Sequence, residues 1–174
     1  VPRTRLSPRS KARKRAVDIL FEAELRGADP KATLAERAEA ADPPVRDFTT
    51  ELVLGVDAHR PVIDRRISEV LRSGWSLERM PRVDRAVARL AVYELDFTDI
   101  QTSVAVSEAV ALAQDLSTDE SPAFLNGVLS AIAADRTGGP TPVDPTPVEH
   151  SPGGTTPVEH APGGTTTRAA AEEA

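Results

Sequence analysis

The chain has 174 residues and a formal charge of −6. That is long enough for one domain with a core, and the balance argues against indiscriminate nucleic-acid binding. It contains no cysteine, which excludes disulfides and thiolate metal sites, and no apolar run approaches the roughly 20 residues of a membrane-spanning helix. The charge is uneven: residues 1–15 carry seven Lys/Arg and no acid, whereas residues 16–137 carry thirteen Lys/Arg against twenty-two Asp/Glu. A basic end on an acidic body is the pattern of a chain that meets nucleic acid or an acidic surface in one place.

Residues 9–25, RSKARKRAVDILFEAEL, change character halfway. Arg9, Lys11, Arg13, Lys14 and Arg15 form a dense cationic run; then Val17, Leu20, Phe21 and Leu25 recur on a helical period. Cations in the first turns of a helix oppose its macrodipole, by a few tenths of a kcal/mol each. Folding therefore gives them no reason to be there, and an anionic partner does. The run leads into amphipathic VDILFEAELRG, not into the apolar core and cleavage site of a secretory signal, so a soluble cytoplasmic protein is expected.

Ser7-Pro8 or Ser10 can cap this first helix and Gly27 ends it. Asp29-Pro30 opens a polar second helix, KATLAERAEAA, which Asp42-Pro43-Pro44 stops. A third spans VRDFTTELVLGVDAH, with Phe48, Leu52 and Val56 on one side. Pro61 is expected to break the chain and restart it as VIDRRISEVLRSG, where Val62, Ile63, Ile67, Val70 and Leu71 form a stripe and Gly74 closes the element. After Trp75 and Pro81 comes VDRAVARLAVYELDF, with Val83, Val87, Leu90, Ala91 and Leu95 inward. VAVSEAVALAQDL and, behind a capping Ser121-Pro122, AFLNGVLSAIAADR complete the set. Nothing in residues 1–137 alternates for long enough to be a strand. The fold class is all-α, a compact bundle of about seven helices.

Residues 138–174 are different material. TPVEHSPGGT at 146–155 recurs as TPVEHAPGGT at 156–165, and Pro, Gly and Thr offer too little apolar area to offset ordering entropy. We read 1–8 as a flexible basic terminus, 9–137 as the folded domain and 138–174 as a disordered tail. His150 and His160 are read as repeat units rather than metal ligands.

Catalytic machinery is sparse. There is no cysteine nucleophile, no glycine-rich phosphate loop and no dinucleotide fingerprint. His59, the one histidine before the tail, sits at the expected Pro61 break, where an exposed helix end is the plainer account. An enzyme is not expected, nor a cofactor or metal. Three features remain. The basic run is either a solubilising terminus or an arginine-rich RNA-binding motif. Arg82, Arg85 and Arg89 share a helix face, and serve either as ion-pair partners of neighbouring acids or as a phosphate-contacting strip. Asn126 and Gly127 interrupt an apolar helix against propensity, either to let helices pack closely or to serve binding.

The order SKARKRAVDILFEAEL, PRVDRAVARLAVYEL, VAVSEAVALAQDLSTDESPAFLNGVL resembles the NusB family of bacterial transcription antitermination factors, from about residue 7 to 134. The resemblance implies a compact helical fold in two subdomains. It also implies binding to the single-stranded boxA sequence of nascent RNA in ribosomal RNA operons, jointly with the small ribosomal subunit protein that doubles as NusE, within the transcription elongation complex. By position, Arg9, Lys11, Arg13 and Lys14 would form the RNA arm and Arg89 a helix contact. Asp119, Glu120 and Ser121 would supply the loop before the last helix, with Asn126 behind it. Phe21 and Asp84 would face the ribosomal protein. Arg72 stands where some members carry an aromatic near the RNA surface, and Ser10 where others carry a basic residue. Both monomers and homodimers occur in the family. Two other readings stay open: a helical interaction module without RNA specificity, and a helix-turn-helix DNA binder.

Overall fold

The computed structural model describes residues 7–72 and 74–137; residues 1–6, residue 73 and the repeat tail 138–174, with the disorder expected there, lie outside the described residues. Six α-helices and one short 3₁₀ turn make up the described structure, with no strand among the described residues. The helices are α1 (Pro8–Arg26), α2 (Pro30–Ala40), α3 (Asp47–Val70), α4 (Arg82–Phe97), α5 (Thr102–Leu116) and α6 (Ser121–Thr137), with the 3₁₀ turn Leu77–Arg79 before α4.

Local chemistry sets the ends of the first two helices. Ser7 caps α1, its Oγ accepting from the Ser10 N–H at 3.0 Å, and Pro8 occupies the first turn where its missing donor costs nothing. The cap expected at Ser7-Pro8 therefore forms, and these two residues, also counted in a flexible terminus over 1–8, belong to the helix start. Gly27 ends α1 at φ 61°, and the Ala28 N–H donates to the Ala23 carbonyl at 2.8 Å, the left-handed stop that glycine adopts without strain. Asp29 caps α2 through the Lys31 N–H at 2.8 Å.

Pro61 does not break the chain: it lies inside α3, a single helix of 24 residues. An interior proline costs about 3 kcal/mol. Tertiary burial outweighs it, because Leu52, Val53 and Val56 before the proline and Ile63 and Ile67 after it fall on one buried face. Each side chain fully buried there contributes roughly 1.5–3 kcal/mol. Val62 lies off that face and is 38% exposed. His59 is accordingly mid-helix rather than terminal. Its Nδ1 bonds the Gly55 carbonyl at 2.9 Å and its ring lies 4.0 Å from that of Phe97.

The helices form two sets of three, α1–α2–α3 and α4–α5–α6, fastened together by α4, which packs on α1, α3, α5 and α6. Every residue from Ala86 to Leu95 is buried, as expected of a helix surrounded on all sides. Its approach to α3 depends on Gly55, where a Cβ would stand 2.0 Å from Cζ of Tyr93. A single apolar core, including Ile19, Leu52, Ile67, Leu90, Leu125 and Leu129, runs through both sets.

Candidate nucleic-acid interface

The basic run is not an arm. Residues 9–15 form the first two turns of α1 and are seated against α3, α4 and α5. The turn of the helix divides the cations. Arg13 points inward and is 2% exposed; its Nε and Nη2 donate to the Glu94 carboxylate of α4 at 2.8–3.0 Å, and Nη1 lies 3.7 Å from Glu108 of α5. Beside it Ser10 donates to Glu108 at 2.8 Å, so the serine is a joint between α1 and α5. Lys14 pairs with Asp115 at the surface. Arg9 and Lys11 are exposed and form no ion pair among the described residues. The Arg9 guanidinium lies 5.0 Å from the centre of the Phe48 ring, a cation–π distance.

Arg89 likewise departs from its expected role. It is 7% exposed, with Nε and Nη2 held by Asp64 at 2.6 and 2.9 Å and Nη1 by Glu24 at 2.7 Å. Arg85 pairs with the same Glu24 and donates to the Leu77 carbonyl at 2.6 Å. Arg85 and Arg89 thus form an ion-pair network between α1, α3 and α4, while Arg82 stays exposed with its Nε 3.9 Å from Glu24. Burial pushes the Glu24 carboxyl up, but the hydrogen bonds and charges of Arg85 and Arg89 outweigh it and hold the group below its ordinary value.

Two more expected surface residues are interior. Asp84 is 2% and Ser121 3% exposed; Ser121 Oγ donates to Asp84 Oδ2 at 2.8 Å and also bonds the hydroxyls of Ser117 and Thr118. They brace the start of α6 against α4 instead of facing a partner or RNA. Asp119, Glu120 and Asn126 are exposed, as is Arg72. Phe21 is half-buried, and one turn on Leu25, expected inward, is 58% exposed.

The sequence reading missed an aromatic cleft. Trp75, 54% exposed, faces Phe124 with ring centres 5.7 Å apart. Together with Val70, Leu71, Arg72, Gly127 and Val128 they line a cleft of about 490 Å³. A Cβ on Gly127 would meet nothing within 4 Å, so this glycine leaves the cleft wall flat rather than admitting a neighbouring helix. The signal was present as Ala123, Gly127 and Ala131, small residues at a spacing of four that mark one helix side.

A compact helical scaffold with an exposed cationic corner and an aromatic cleft has the build of a small helical nucleic-acid-binding protein. The chain belongs to the NusB family, which its residues 10–134 match. It is 53% identical over 141 residues to the transcription antitermination protein NusB of Acidothermus cellulolyticus, covering 79% of this chain and 97% of that one. The fold is similar to that of NusB from T. maritima, with a TM-score of 0.66 and 34% identity over 74% of this chain and 92% of that one. It is also similar to NusB in a crystal structure of the antitermination factors NusB and NusE in complex with double-stranded RNA, with a TM-score of 0.64 and 30% identity over 72% of this chain and 96% of that one.

Proposed function

We propose that this chain is an RNA-binding adaptor of transcription antitermination, which captures boxA RNA of ribosomal RNA operons together with NusE. It acts by binding and not by catalysis, in the cytoplasm, where nascent RNA is made. The observation that carries this reading is the presence of exposed, uncompensated cations at the α1 corner of an otherwise acidic body. The structure of relatives that joins NusB, NusE and RNA supports the same assignment.

In this reading Arg9 and Lys11, with Lys14 beside them, attract the phosphates, which position the RNA without reading it. Arg72, Trp75 and Phe124 offer a cation beside stacking surfaces, the usual means of holding an unstacked base. Asp119, Glu120 and Asn126 stand on the adjoining loop and helix, with polar groups suited to base edges. Arg13, Arg89, Asp84 and Ser121 support these surfaces from within. Leu25, apolar and outward on α1, with the half-buried Phe21 one turn before it, forms the patch for NusE.

Fluorescence anisotropy with boxA RNA, a scrambled RNA, and duplex RNA and DNA, with and without NusE, tests the reading. Preference for boxA RNA, tightened by NusE, is the expected outcome. Equal binding of all probes leaves only a polycation, and binding of NusE without any RNA returns the chain to a plain interaction module.

A further inference from the structure

Apart from the aromatic cleft, a second cleft of about 300 Å³ opens between α1 and the turn that leads into α3, lined among others by Lys11, Lys14, Arg15, Asp18, Pro43 and Arg46. Four cations therefore face one carboxylate. Lys14 is engaged by Asp115, but among the described residues Lys11, Arg15 and Arg46 form no ion pair. Arg15 Nε is buried and has no hydrogen-bond partner. A guanidinium finds its best partner in an oxyanion that accepts two donors at once, here through its terminal nitrogens, since an Nε without accessible surface is out of reach from the cleft. The first turn of α3 forms the opposite wall with Arg46 and Thr49; no side chain caps it, and the positive potential of its amides is opposed by Asp47 in the same turn.

We propose that this cleft is a phosphate seat on the RNA path, in which Arg15 and Arg46 grip one backbone phosphate and Lys11 at the rim shares the next. The proposal rests on the RNA-adaptor reading and extends the cationic face around α1 to the turn at Pro43 and Pro44, with two arginines that the basic run alone does not single out. The arginines lie on separate elements, 31 positions apart, and only the packing of α1 on α3 makes them one site. Asp18 is the adverse group. A phosphate entering the cleft would be repelled by its carboxylate, so removing that charge must help.

The test uses the full chain with the double substitution Arg15→Gln and Arg46→Gln, and separately Asp18→Asn, titrated with boxA RNA over a salt series. The double variant should bind about tenfold more weakly at low salt. Its log–log salt slope should be shallower by about 0.7 for the phosphate released, with boxA and scrambled RNA losing equally because a phosphate carries no sequence information. Asp18→Asn should bind about two- to threefold more tightly. If the parent binds and both variants match it in affinity and slope, the cleft lies off the RNA path while the adaptor reading stands. If the parent fails to bind RNA at all, both fall together. Melting curves check folding; should the double variant prove unfolded, Arg46→Gln alone, at an exposed position, and Asp18→Asn decide the matter in the same assay.

Discussion

Arg13 of α1 and Glu94 of α4 meet at 2.8 Å with side chains 2% and 3% exposed, across 81 positions of sequence. This pair reverses the meaning of a cation near a helix N-terminus. The macrodipole penalty on Arg13 is a few tenths of a kcal/mol, whereas leaving either charge of a buried pair without its partner costs about 3–5 kcal/mol. Folding therefore does give a reason for an arginine in that turn. Arg13→Ala should destabilise by about 3–5 kcal/mol, read as a shift of the urea midpoint. Arg13→Met with Glu94→Leu, which removes both charges, should recover most of the loss. Equal damage in the single and double variants would mean that packing and not charge is at stake.

Arg9 and Lys11 should behave in the opposite way. Both are exposed, with no ion pair among the described residues, so Arg9→Ala with Lys11→Ala should lower stability by no more than the cation–π contact of Arg9 with Phe48, about 0.5–1 kcal/mol. RNA affinity should fall for boxA and scrambled sequences together, with a salt slope shallower by about 0.7 for each phosphate no longer neutralised. Unchanged RNA binding in a folded double variant would demote the corner to a solubilising surface.

Gly55→Ala sets helix propensity against packing. Alanine is favoured over glycine within a helix by about 1 kcal/mol, yet its Cβ would stand 2.0 Å from Tyr93 Cζ, and Tyr93 is itself packed beside His59 and Phe97. Overpacking of this kind costs about 1–3 kcal/mol, so the net effect should be destabilising by about 1 kcal/mol. In a Tyr93→Ala background the same substitution should become neutral or stabilising. A double-mutant cycle by chemical denaturation reads the sign change, and additive effects would contradict the close approach.

The Glu24 network predicts an acid limb. Its carboxyl is held below the ordinary value of 4.5, with burial opposed and outweighed by Arg85 and Arg89. A depressed carboxylate contributes stability that is fully present above the unfolded value and is lost as pH falls through the lower folded one. Asp18 carries the opposite sign, because burial raises its carboxyl above 3.8 against the pull of Lys14 and Arg15. Glu24→Gln should therefore lower the melting temperature at neutral pH, and the gap to the parent should begin to narrow below the ordinary value of 4.5 and close only once pH has passed the lower folded one. Parallel melting curves at every pH would show that the charge of Glu24 contributes nothing.

Much of the architecture was legible in the residues because it is decided within a few positions. Ser7-Pro8, Gly27 and Asp29-Pro30 set helix ends through hydrogen bonds to the next turn, and the apolar period of α4 and α5 marked two core elements. Pro61 was misjudged because the local penalty is fixed by the residue, while the burial of Ile63 and Ile67 that outweighs it comes from helices elsewhere in the chain. The cations were the least legible. Arg9, Lys11, Arg13 and Lys14 lie in one cationic run with nearly the same chemistry, and their count and sign are properties of the sequence. Whether each is a buried brace or a free charge depends on whether Glu94, Glu108 or Asp115, some eighty to a hundred positions away, is folded against it. A carboxylate brought within 3 Å in a low-dielectric interior spends a positive charge that local sequence leaves free, and only the packing of α1 on α4 and α5 decides which charge that is.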